Sequence, residues 1–151
     1  MSQTITDTFK GVDTVVSEYG SFFFYNPDPN VPPDHNFPFA TLLNNDLNDP
    51  FSDLLNRPSV YRLNIGVSKK TFQSLFGDLK MPTPNEVYES GKSASGYDFT
   101  ALDQVLPHPV YGRQYWVCVL NPSDDTFKSK VLPLLTEAYN AAVARYQKKT
   151  A

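Results

Sequence analysis

One cysteine in 151 residues has no partner for an internal disulfide. Together with only two histidines it falls short of a zinc-binding set. No apolar run approaches the length that crosses a bilayer. The first residues, Met-Ser-Gln-Thr-Ile-Thr-Asp-Thr, lack the charged start and apolar stretch of a signal peptide. Basic residues are outnumbered, 13 Lys and Arg against 16 Asp and Glu, for a net charge of −3. Neither nucleic acid nor an anionic membrane is therefore expected as the main partner, since both need a basic face. A phosphate-binding loop is also missing. Gly91-Lys92-Ser93 echoes the end of one, but the glycine required five residues earlier is Glu86. No Gly-x-Ser-x-Gly elbow supports a serine nucleophile. What survives is a reduced, cytosolic, cofactor-independent protein with no resident metal.

The chain is rich in aromatics, with 11 Phe and 9 Tyr. Its length suits one domain, here a single α+β domain over residues 1–151. Residues 4–10 read as a short helix capped by Thr4 or Thr6, and 12–16 as a strand or the end of a helix–strand connection. Phe22-Phe23-Phe24-Tyr25 makes 21–25 a strand buried on both faces. The proline-rich stretch 26–38, which holds His35, reads as a loop. Residues 39–43 form the next strand, and Asp49-Pro50 opens a short helix to residue 55. Residues 59–67 alternate: Tyr61, Leu63, Ile65 and Val67 share one face, Arg62, Asn64 and Gly66 the other.

Ser68 caps a helix carrying Phe72, Leu75 and Phe76, which Gly77 ends. Residues 78–98 are an irregular loop. In 114–120, Tyr115, Val117 and Val119 oppose Trp116, Cys118 and Leu120, so both faces are apolar and the strand is central. A cap within 123–126 opens the last helix, whose stripe runs Phe127, Val131, Leu134, Leu135, Ala138, Ala142 and Tyr146. Pro133 should kink that helix or restart it.

Five motifs carry a family resemblance: Phe-Phe-Phe-Tyr (22–25), Pro-Phe-Ala-Thr (38–41), Arg-Leu-Asn-Ile-Gly-Val-Ser (62–68) with Thr-Phe-Gln-Ser-Leu-Phe-Gly (71–77), Leu-Pro-His-Pro-Val-Tyr-Gly (106–112) and Trp-Val-Cys-Val-Leu-Asn-Pro (116–122). In that order they resemble an uncharacterised family of small bacterial and fungal domains. His-Pro-Val-Tyr-Gly is the most specific of them. The chain is also distantly similar to MmcQ/YjbR-like proteins, where a strand near a tryptophan leads into a C-terminal helix ending in basic residues. That likeness implies a twisted, mainly antiparallel sheet with helices on one face, as in frataxin-like folds. It implies no activity, although some MmcQ/YjbR-like proteins are discussed as DNA-binding.

The chemistry concentrates in 106–113. His108 lies between Pro107 and Pro109 and is held extended. Its roles are acid–base work, a hydrogen bond to a carbonyl, or tying a strand entrance to nearby backbone. Tyr111-Gly112-Arg113 brings a phenol, a turn and a guanidinium to one edge; its structural alternative is a hairpin turn with an exposed arginine. Arg62 and Asn64 join them only where the second sheet face is covered. Cys118, mid-strand among apolar neighbours, is a poor nucleophile.

With metal, nucleotide and nucleophile eliminated, the leading expectation is a cofactor-independent enzyme on an apolar small molecule. Its concrete form is a pericyclic, Diels–Alder-like cyclase or an isomerase in a biosynthetic pathway. His108, Tyr111 and Arg113 would be the catalytic contacts. Arg62 and Asn64 would bind substrate, with Phe22, Phe24, Tyr115 and Trp116 as walls. The alternatives are a non-catalytic module binding a small molecule or a protein, with a homodimer left open, and third a DNA-binding protein.

Overall fold

The computed structural model describes residues 1–18, 20–28, 30–32, 37–44, 59–77, 98, 101–109 and 111–150. His35, the helix expected at 50–55 and nearly all of the 78–98 loop lie outside the described residues. The elements run α1 (Ser2–Thr8), β1 (Val12–Ser17), β2 (Gly20–Tyr25), β3 (Ala40–Leu43), β4 (Arg62–Gly66), α2 (Lys69–Phe76), β5 (Val105–Pro107), β6 (Trp116–Leu120) and α3 (Leu132–Thr150). A 3₁₀ turn, Tyr111–Gln114, joins β5 to β6. The six strands form one sheet in the order β1-β2-β3-β4-β6-β5, with every strand pair antiparallel. The fold is α+β, as its sequence pattern implies. No helix among the described residues is long and apolar enough to cross a membrane.

Period-two alternation sorts the strand residues onto two faces. Phe23, Leu63, Ile65, Val117 and Val119 point to one, where they meet Ile5 of α1, Phe9 at its end, and Val131, Leu134, Leu135, Ala138 and Ala142 in and just before α3. That is the main core, and helices cover it from one side. Phe23, Leu63, Ile65 and Leu135 are all fully buried there. Each such side chain contributes on the order of 2–3 kcal/mol of transfer free energy. A ring cluster closes one end, with Tyr139 against Phe9 at 4.8 Å and Tyr25 at 5.5 Å.

Local signals explain most element ends. Ser68 accepts from the Thr71 amide and caps α2, and Gly77 ends it at φ 71°. Ser123 does the same for the last helical segment through Thr126. The cap expected at Thr4 or Thr6 is not used. Helix α1 starts earlier, from Met1 without a side-chain bond, and Thr6 and Thr8 donate back to carbonyls one turn before them. The strand expected over 114–120 starts only at Trp116, because Gln114 belongs to the 3₁₀ turn and Tyr115 takes φ 65°. An α-helix resumes at Leu132, one residue before Pro133, after one short turn at Asp124–Thr126. Between the two lies a π-helical segment, Phe127–Val131, whose wider turn accommodates a residue that cannot donate.

Gly20 opens β2 with φ 143°, and a Cβ there would lie 2.2 Å from the Leu42 carbonyl oxygen on β3. Only a glycine lets the two backbones approach so closely. Gly20→Ala is expected to lower unfolding free energy by about 2 kcal/mol or more in urea titrations. Native-like stability would contradict this close approach.

Candidate functional site

The other face of the sheet is where the polar residues gather. On β4, Arg62 and Asn64 alternate with the core residues and pair with Leu120 and Cys118 on β6 and with Leu43 and Thr41 on β3. This face is covered. Arg62 and Asn64 are each 3% exposed, and His108 is 2% exposed. All three line a cavity of about 810 Å³ that runs along this face of β4, from Arg62 at its start to Gly66 at its end, where β5 hands over to β6. Phe22, Phe39 and Trp116 supply aromatic wall, and Phe37, 85% exposed, stands at the mouth. Beyond Gly66 the cavity reaches Ser68 and the α3 residues Glu137 and Arg145.

Gly66 has a spatial reason to be glycine. It faces Trp116 across the β4–β6 pair, and a Cβ would sit 3.1 Å from the indole Cε2 and Cζ2. The missing side chain lets the indole lie flat against β4. Glu137 is fixed from two sides, since its carboxylate accepts from the Thr71 hydroxyl and from the Ser68 amide at 3.2 Å. It thus ties α3 to the first turn of α2 along the cavity rim.

His108 is held by three short-range bonds. Its amide donates to the Trp116 carbonyl at 2.9 Å, and its carbonyl accepts from the Gly112 amide at 2.9 Å. Its ring Nδ1 accepts from the Tyr111 amide at 2.9 Å. The side chain therefore caps the 3₁₀ turn much as Ser or Asp caps a helix. An accepting Nδ1 means that the proton of the neutral ring is on Nε2. Burial pushes the imidazole well below the usual histidine range, and the Arg62 guanidinium adds to it. His108 is accordingly a fixed, neutral hydrogen-bond donor. The Tyr111 ring packs on it with centroids 5.0 Å apart.

Asn64 donates through Nδ2 to Thr41 Oγ1 at 2.9 Å. Its Oδ1 is buried and has no hydrogen-bond partner among the described residues. That is an unusual condition for a buried acceptor.

Of the residues expected from sequence, His108, Tyr111, Arg62, Asn64, Phe22 and Trp116 come together on the cavity. Three others do not line it. Arg113 is exposed on the outside of the 3₁₀ turn. Phe24 is buried on the second face but away from the cavity. Tyr115 packs against Phe72 at 5.7 Å, towards the helical core. Its left-handed backbone at φ 65° is what reverses the chain into β6. Cys118 is buried, with Sγ 3.8 Å from the Pro107 carbonyl. Thr41, Phe37, Glu137 and Arg145 line the cavity and were not expected. Thr41 had a readable signal, because it alternates with Ala40 and Leu42. Glu137 and Arg145 follow only from how α3 sits on the sheet. Among the described residues no three of His, Cys, Asp and Glu converge as metal ligands.

The depressed His108 pKa makes stability depend on pH. The unfolded chain binds a proton below about pH 6.5, whereas the folded ring does not until more acid conditions. The contribution is therefore complete above that pH and is lost as pH falls, at up to about 1.4 kcal/mol per pH unit. Urea titrations from pH 7 to 5 should show this decline, and His108→Asn should flatten it. Equal slopes for both proteins would remove His108 as the cause.

No curated protein and no solved structure matched the chain. One family model does match, over residues 1–151, and the chain thus belongs to the family of unknown function DUF6194.

Proposed function

We propose that the cavity binds a largely apolar small molecule bearing a carbonyl, and that the protein converts this molecule without a cofactor. One observation carries the reading: a guanidinium, an amide and a neutral imidazole are buried together on an aromatic-walled cavity of about 810 Å³. A site of that size suits a ligand of metabolite or drug dimensions. Phe22, Phe39 and Trp116 would hold one folded conformer of a flexible chain. Arg62 and the His108 Nε2–H would stabilise charge that builds on the carbonyl oxygen as bonds reorganise.

The concrete form is a pericyclic cyclisation in a biosynthetic pathway. In a Diels–Alder closure two carbon–carbon σ bonds form at the expense of two π bonds, one double bond shifts, and no atom is gained or lost. An isomerisation conserves atoms in the same way. Neither needs a metal or a redox partner. The engagement of His108 Nδ1 by the Tyr111 amide takes that nitrogen out of proton transfer. This favours a polarising role over a basic one, and it equally supports a second reading, a module that binds its ligand without turnover.

The likeness to MmcQ/YjbR-like proteins would place DNA binding third, where the net charge of −3 disfavours it. The homodimer belongs to this proposal as well. Strand β1 is a sheet edge whose Val16 is 73% exposed, which suits pairing with a second copy.

Trp116 is the only tryptophan, so its fluorescence reports occupancy of the cavity. Linear polyenes with an activated carbonyl are expected to quench it saturably and to yield an isomer of unchanged mass by liquid chromatography–mass spectrometry. Arg62→Leu should slow that conversion about 100-fold. Saturable quenching without product would establish the binding-only reading. No quenching by any compound would remove the cavity as the site.

A further inference from the structure

Thr41 and Asn64 are direct cross-strand partners, and both line the cavity. The Asn64 amide nitrogen donates to Thr41 Oγ1, so the threonine oxygen is already an acceptor. Its own hydrogen remains available to donate, because a hydroxyl is one donor and two acceptor sites. Asn64 Oδ1, on a side chain 3% exposed, has no hydrogen-bond partner among the described residues. Side by side on one sheet face the pair thus presents one donor and one acceptor. Burial makes an unmet acceptor costly, and a ligand that meets it recovers that cost.

The geometry points to a ligand that carries a hydroxyl seated on this pair, with its hydrogen on Asn64 Oδ1 and its oxygen accepting from the Thr41 hydroxyl. The inference rests on the cavity being a small-molecule site and narrows its substrate class to hydroxylated apolar compounds. A carbonyl or ether oxygen at this position accepts from Thr41 but leaves Oδ1 unmet and faces it with a second lone pair. A hydrocarbon meets neither group. A hydroxyl satisfies both with one atom. The Arg62 guanidinium, two residues along β4 on the same face, favours an electron-rich oxygen next to that hydroxyl. Together they describe an apolar skeleton bearing a hydroxyl beside a carbonyl or carboxylate.

Matched acids that differ by one hydroxyl test this directly. A panel of aryl-alkyl pairs, with 2-hydroxy-3-phenylpropanoate against 3-phenylpropanoate as the first, is titrated calorimetrically into the full chain and into Asn64→Leu and Thr41→Val. The native chain is expected to bind the hydroxy acid of at least one pair tenfold or more tightly than its deoxy partner. Asn64→Leu should level the two affinities, and Thr41→Val should narrow the gap. Both variants are checked by circular dichroism, and Thr41→Val keeps the test alive if Asn64→Leu does not fold. Equal affinities within every pair that binds, or a preference that survives both substitutions, overturn the hydroxyl seat while leaving the cavity a ligand site. Failure of every pair to bind saturably, while a linear polyene with an activated carbonyl still quenches Trp116, overturns the hydroxyl seat alone, and failure of both overturns the cavity reading with it.

Discussion

Strand β4 is hydrogen-bonded on both edges and buried on both faces, and this constraint organises the molecule. Four of its five residues are buried. Leu63 and Ile65 face the helices and hold the main core, which is what a central strand ordinarily does. Arg62 and Asn64 face the other way, and they are as inaccessible as their apolar neighbours. Burying a guanidinium and an amide is unfavourable unless neighbouring groups compensate them. Hydrophobic residues at these two positions would make a more ordinary sheet. Under the proposed function they serve the ligand of the cavity they line.

The segment that follows β5 completes the arrangement. Pro107 and Pro109 restrict the backbone around His108, and both are buried. The imidazole then fixes its own orientation by capping the turn that follows it. One residue thus braces the turn and, in the proposed function, donates a hydrogen bond to the ligand. Its bond to the Tyr111 amide positions the ring, and burial beside Arg62 keeps the ring neutral. Tyr115 closes the turn in a left-handed conformation that a non-glycine residue adopts at some cost. Its packing on Phe72 and its carbonyl bond from the Val67 amide hold it there.

Much of this is legible in the chain because it is local. The aromatic run of β2, the alternation of β4, the Ser68 and Gly77 boundaries and the apolar stripe of α3 all depend on neighbours within a turn or a strand. Six candidate site residues meet on one cavity because alternation placed Arg62, Asn64 and Trp116 on one face. What was not legible depends on distant pieces. Thr41 reaches Asn64 only through the β3–β4 register, and Glu137 reaches Ser68 across 69 residues. Arg113 is two residues from Tyr111, yet the tight 3₁₀ turn sends it outwards. Tyr115 was expected as a wall and faces the core, in keeping with its alternation with Trp116.

The central claim is that the buried polar groups of the second sheet face exist to meet a ligand. A crystal structure of the full chain, grown with an aryl-alkyl hydroxy acid, addresses it most directly. The account predicts density for that molecule between Trp116 and His108, with its oxygens within hydrogen-bond distance of Arg62 and Asn64. A cavity filled by the chain's own side chains, with Asn64 Oδ1 satisfied by them, would contradict it.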